Sequence, residues 1–129
     1  MAHTILLLED EPLILMDLEF AAQDAGCDVV PTASVPEALA KVSELKSDLT
    51  VAVLDVSLGE GASCFPVAEE LERLGIPFIL HSGDLDRHDE KIRTLSAKLV
   101  AKPASSDQVI ETAIASAQSF RPGDGRIPV

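Results

Sequence analysis

The chain is short of base, of cysteine and of aromatic rings. Ten lysines and arginines stand against twenty-two aspartates and glutamates, a formal charge of −12. That balance argues against a non-specific nucleic-acid binder or an anionic-membrane binder, since both need a basic surface. Only Cys27 and Cys64 carry thiols, with neither metal-ligand nor redox spacing, so two reduced thiols in a cytosolic protein are expected. His3, His81 and His88 have no metal-binding spacing either. No apolar run approaches the roughly 20 residues that cross a bilayer. Met1-Ala2-His3-Thr4 enters a strand at once, without a basic leader, so no signal peptide is indicated and a cytoplasmic protein is expected. Tryptophan and tyrosine are absent altogether.

What is present is an alternation. The 129 residues are 47% apolar, enough for one domain with a real core. Ile5–Leu8, Leu49–Leu54, Pro77–His81 and Leu99–Ala101 are short apolar runs of the kind buried on both faces of a parallel sheet. Val29-Val30 heads a weaker strand ending near Ala33. Between them lie helical stripes. Pro12 opens one that carries Ile14, Leu18, Ala21 and Ala25 and stops at Gly26. Ser34-Val-Pro-Glu37 reads as a capping box before Ala38, Leu39, Val42 and Leu45. Pro66–Leu74 buries Val67, Leu71 and Leu74; Val56–Phe65 before it reads as a loop. Asp84–Ala97 is helical but mostly polar. Ser105 or Ser106 caps a last helix burying Val109, Ile110, Ala113, Ile114 and Ala117. Strands alternating with helices of this length predict an α/β, (βα)5 doubly wound domain with a five-stranded parallel sheet. One such unit uses residues 1–119, and residues 120–129, with two prolines and two glycines, read as a flexible tail.

The ends of the apolar runs carry the chemistry. The first runs into Glu9, Asp10 and Glu11, the third strand into Asp55, the fourth into His81 and Ser82, the fifth into Lys102-Pro103. Each alone has a plain explanation as turn former, helix cap or solvent-seeking charge. Together they change meaning, because ligands of open parallel sheets bind at the carboxyl ends of the strands. With the first and third strands adjacent, Asp10 and Asp55 share a crevice. Close carboxylates repel unless a cation relieves them, and Mg²⁺ suits few carboxylates plus phosphate oxygens. Lys102 suits a point-charge phosphate ligand, and Ser82 offers a hydroxyl to another phosphate oxygen.

In these motifs the sequence resembles the receiver domain of two-component response regulators. Leu8-Glu9-Asp10-Glu11-Pro12, Val53-Leu54-Asp55, His81-Ser82-Gly83 and Ala101-Lys102-Pro103 carry the resemblance, which spans about Thr4 to Ala117. Phe65-Pro66-Val67-Ala68 and Gly75-Ile76-Pro77-Phe78 look like the receivers associated with HWE-type sensor kinases. The resemblance implies a flavodoxin-like fold with strand order 2-1-3-4-5. It implies Asp55 as phosphoacceptor from a sensor histidine kinase or phosphotransfer protein, and Lys102 and Ser82 as phosphoryl ligands. It further implies Mg²⁺ held by Asp10, Asp55 and the backbone carbonyl of Ser57, with Glu9 acting through water. Hydrolysis of the aspartyl phosphate would be slow, tuned at Ser57 and Asp84. The protein would then be a signalling phosphoprotein, not an enzyme with turnover of an external substrate. It would act as a single-domain regulator through an unknown downstream protein, or as a phosphate sink or relay. The face of Asp84–Ala97, Leu99–Ala101 and the last helix would be the switch surface.

The sequence departs from that pattern in three places. Leu58-Gly59 replaces the Met-Pro that many receivers carry after the acid; the switch position on the fifth strand is Leu99 instead of an aromatic; and the segment between Ser82 and Lys102 is short and polar. A phosphorylation-independent binding module with the same fold is the alternative. A phosphohydrolase with an aspartyl nucleophile would need a second acid two residues after Asp55, where this chain has Ser57.

Overall fold

A computed structural model describes residues 3–58, 62–82, 98–101 and 104–119. The expected helix over Asp84–Ala97, the pair Lys102-Pro103 and the tail 120–129 lie outside these residues. Five parallel strands form the sheet: β1 (Thr4–Leu8), β2 (Asp28–Thr32), β3 (Val51–Asp55), β6 (Phe78–Ser82) and β7 (Lys98–Ala101), in the order β2-β1-β3-β6-β7. Counting only these five, that is the expected 2-1-3-4-5. Among the described residues the α-helices are α1 (Pro12–Asp24), α2 (Val35–Leu45), α3 (Phe65–Leu74) and α4 (Ser106–Ser119). Among the described residues, no helix is long and apolar enough to cross a membrane.

The sheet is covered on both faces, which is why its central strands are apolar without interruption. Leu6, Leu8, Ala52, Leu54, Phe78 and Leu80 pack with Ala38 and Val42 of α2 and Val67, Ala68 and Leu71 of α3. Ile5, Leu7, Val51, Val53 and Ile79 turn the other way, toward Leu18, Ala21 and Ala22 of α1 and Val109, Ile110 and Ala113 of α4. Alternation along each strand makes the division.

Local chemistry sets the ends. The Ser34 hydroxyl accepts from the Glu37 N–H at 3.3 Å, and the Glu37 carboxylate reaches back to the Ala33 N–H at 2.7 Å. Of the two serines before α4, Ser105 is the cap, accepting from the Gln108 N–H at 3.1 Å. Gly26 and Gly75 end α1 and α3 with φ of +84° and +72°, a conformation other residues avoid.

Two expectations are corrected. Ala25 is the exposed C-cap of α1, and Ala22 takes its place against the sheet. The stretch after β3 is not plain loop: β4 (Ser57–Leu58) and β5 (Ala62–Ser63) pair antiparallel, Ser57 opposite Ser63 and Leu58 opposite Ala62. Buried Val56 and Leu58 hold this hairpin against the α2–α3 core. Cys27 and Cys64 are free and buried.

Candidate functional site

The register of the sheet assembles the site. Leu8 lies opposite Leu54, so Glu9, the next residue of the chain, comes level with Asp55. Asp55 in turn lies opposite His81, and Ser82 opposite Ala101. Glu9, Asp10 and Asp55 can each offer one carboxylate oxygen such that all three lie within 4.8 Å of one another. Glu9 is 1% and Asp55 3% exposed, while Asp10 opens to solvent.

The backbone around the acids is tied down. Glu9 donates its N–H to the Thr32 carbonyl at 3.1 Å, and its carboxylate accepts from the Glu11 N–H at 3.1 Å. The Thr32 hydroxyl closes the edge by donating to the Leu7 carbonyl at 2.7 Å. On the far side of Asp55, Val56 donates to the His81 carbonyl at 3.2 Å and accepts from the Cys64 N–H at 3.1 Å. The hairpin therefore fixes the main chain of Ser57, two residues beyond the acid.

Two nearly buried carboxylates beside a third form an expensive arrangement, since buried charge needs compensation. All three donors are hard oxygens, the ligand type of Mg²⁺ or Ca²⁺ and not of thiolate- or imidazole-seeking metals. The donor set of Glu9, Asp10 and Asp55 fits Mg²⁺. At the strand ends opposite, the backbone of Ser82 closes β6 and that of Ala101 closes β7. Lys102 follows Ala101 directly but lies outside the described residues.

The register adds to the site a neighbour already named among the strand endings. His81, 4% exposed, sits in register with Asp55 and not toward solvent. Strand parity was the available signal: His81 lies two residues after Ile79, which faces the α1–α4 core. Away from the cluster, burial raises the Cys27 thiol above its ordinary value of 9.0. The Arg73 guanidinium, hydrogen-bonded to Glu70 at 2.9 Å, lowers that exposed carboxylate.

No family model matches the chain. Among curated proteins, the phyllosphere-induced regulator PhyR of Methylorubrum extorquens is 31% identical over 125 residues, 94% of this chain and 47% of PhyR. The chain thus spans about half the length of that relative. Among solved structures, SdrG from Sphingomonas melonis Fr1 aligns with a TM-score of 0.70 at 35% identity, covering 91% of this chain and 97% of SdrG. The Erythrobacter litoralis PhyR response regulator REC domain aligns with a TM-score of 0.76 at 29% identity, covering 95% of this chain and 94% of the domain. With five parallel strands in the order β2-β1-β3-β6-β7 and helices on both faces, the chain belongs to the response regulator receiver-domain family.

Proposed function

We propose that this receiver domain accepts a phosphoryl group on Asp55 in a Mg²⁺-dependent reaction. The observation that carries the reading is the convergence of Glu9, Asp10 and Asp55 within 4.8 Å, with Asp55 nearly buried at the end of a central strand. The donor is a phosphohistidine on a sensor histidine kinase, of the HWE type by the resemblance of Phe65–Ala68 and Gly75–Phe78, or on a phosphotransfer protein. An Asp55 carboxylate oxygen attacks phosphorus in line. The P–O bond forms as the P–N bond breaks, and the bonding pair leaves with the imidazole nitrogen. Mg²⁺, when held there, would supply positive charge against the carboxylates and the incoming phosphoryl group. Asp10, Asp55 and the Ser57 carbonyl would hold it, with Glu9 acting through water. Lys102 and Ser82 hold the remaining phosphoryl oxygens. Positioning and electrostatics do nearly all of the catalysis in such a transfer.

Slow attack of water on the acyl phosphate returns the carboxylate and releases inorganic phosphate. Residues 1–119 form the domain and 120–129 follow it. The setting is the cytoplasm, and the output is contact with an unidentified downstream protein, or service as a phosphate sink or relay.

Incubation with acetyl phosphate and Mg²⁺, followed by intact-mass measurement, tests the proposal. The wild-type chain should gain one phosphoryl group, and Asp55→Asn should gain none. An unmodified wild-type mass would instead favour the phosphorylation-independent binding module.

A further inference from the structure

The β4–β5 hairpin has a definite hydrogen-bond parity. In an antiparallel pair, opposed residues alternate between pairs that exchange both backbone bonds and pairs that exchange none. Ser57 opposes Ser63, and Leu58 opposes Ala62. The Cys64 N–H donates to the Val56 carbonyl at 3.1 Å, one step outside the Ser57–Ser63 pair. A bond in that place brackets a pair of the second kind. Leu58 and Ala62 are therefore the bonded pair, and Ser57 turns both its N–H and its carbonyl away from β5.

Burial locks that orientation. Val56 and Leu58, two residues apart and so on one side of the strand, are both buried in the α2–α3 core. Turning the Ser57 carbonyl toward β5 would mean rolling the strand over and bringing both side chains out into water. The Val56 N–H, bonded to the His81 carbonyl at 3.2 Å, pins the same stretch to β6. The main chain just past Asp55 is thus tied to two strands, and the ladder leaves the carbonyl between those ties unused. A carbonyl is also the donor that this cluster needs. It is a hard oxygen ligand that adds no further negative charge to three crowded carboxylates.

We propose that the hairpin is the positioning element of the Mg²⁺ site: its bonds at Val56, Leu58 and Ala62 hold the Ser57 carbonyl open for the ion. The inference rests on the Mg²⁺ reading of Glu9, Asp10 and Asp55. It assigns to β4 and β5 a role beyond covering the core.

Calorimetric titration of the full chain with MgCl₂ tests it. Ala62 is exposed, so Ala62→Pro removes the N–H donated to the Leu58 carbonyl without emptying the core. The Kd for Mg²⁺ should rise about tenfold, as when a group that orients a metal ligand is lost, with the melting temperature in chelator little changed. Ala62→Val keeps the N–H, suits a strand and should bind at least as tightly as the wild type. Hydrogen exchange needs no variant. Coupling is reciprocal, so in the wild type the Leu58 and Cys64 amides should exchange about tenfold more slowly in saturating Mg²⁺ than in chelator. Wild-type affinity in Ala62→Pro, or Leu58 and Cys64 amides indifferent to Mg²⁺, would overturn the proposal and leave the hairpin a cover for the core. A wild type that takes up no Mg²⁺ would overturn the reading of the cluster itself, and this proposal with it.

Discussion

Asp55→Asn keeps the shape of the residue and removes one of three crowded charges. At 4.8 Å a like-charge pair repels by about 3.5 kcal/mol at an effective dielectric of about 20, and by about 0.9 kcal/mol in water. The nearly buried pair Glu9 and Asp55 lies closer to the first figure; pairs with exposed Asp10 lie closer to the second. Part of the repulsion is offset by hydrogen bonds such as that from the Glu11 N–H to Glu9. In metal-free buffer the variant should therefore be more stable than the wild type by about 1–3 kcal/mol, at roughly 4 °C of Tm per kcal/mol for a domain of this size. Mg²⁺ should then stabilise the wild type by about 2.7 kcal/mol at a hundred times its Kd, and the variant by distinctly less. The gap between the two narrows or reverses on adding the ion. Thermal melts followed by circular dichroism, in chelator and in Mg²⁺ at matched ionic strength, read both effects, since salt screens exposed charge. An Asp55→Asn variant less stable than the wild type in chelator, together with a wild type unmoved by Mg²⁺, would refute the reasoning.

The remaining predictions concern the frame of the site. Ser34→Ala removes the cap of α2 and should cost about 1 kcal/mol, read as a lower urea midpoint with unchanged slope. Gly75→Ala should cost about 1–2 kcal/mol by denaturant melt, purely from the backbone, because φ is +72° and an added Cβ meets nothing within 4 Å. The raised Cys27 thiol keeps its proton in the folded state at pH values where the unfolded chain has lost it. Its stabilising contribution is thus present below the ordinary value of 9.0 and is lost as pH rises through and beyond it. Stability measured from pH 8 upward should fall less steeply in Cys27→Ala than in the wild type.

The fold was legible where one physical rule acted alone. Ile5–Leu8 and Val51–Leu54 had to be buried strands because no polar residue interrupts them. Ser34 and Glu37 had to cap a helix because the pair satisfies two otherwise open N–H groups. Legibility failed where tertiary contact decides. Two-residue strands carry no period, so the Ser57–Leu58 hairpin was invisible; burial of Val56 and Leu58 makes it. Helix α1 is apolar on most sides, so its inward row was ambiguous: the positive φ of Gly26 ends the helix at Asp24 and moves the contact from Ala25 to Ala22. Of the site, the acids could be read from strand order. The burial of His81 needed the register.

Parity explains how a repulsive cluster survives in a folded sheet. Both faces of β3 are covered, so apolar character alone does not decide which way Asp55 turns. Val51 and Val53 pack toward α1 and α4, and Asp55 continues that row, as Glu9 continues Ile5 and Leu7 and His81 continues Ile79. A slip of one residue in β3 would carry Asp55 to the α2–α3 face and relieve its repulsion with Glu9. The same slip would drive Leu54 into the face lined by Ala21, Ala22 and Ala113, and would leave Val53 where Leu54 fills space between Leu8 and Leu80. A single fully buried leucine is worth about 1.5–3 kcal/mol, and misplaced bulk costs about 1–3 kcal/mol more. Summed along the strand, those terms exceed what separating two carboxylates would return. The unequal volumes of the two faces hold the acids together, so a change that evens them, such as Ala22→Leu with Leu54→Ala, should loosen the register at Asp55 before it unfolds the sheet.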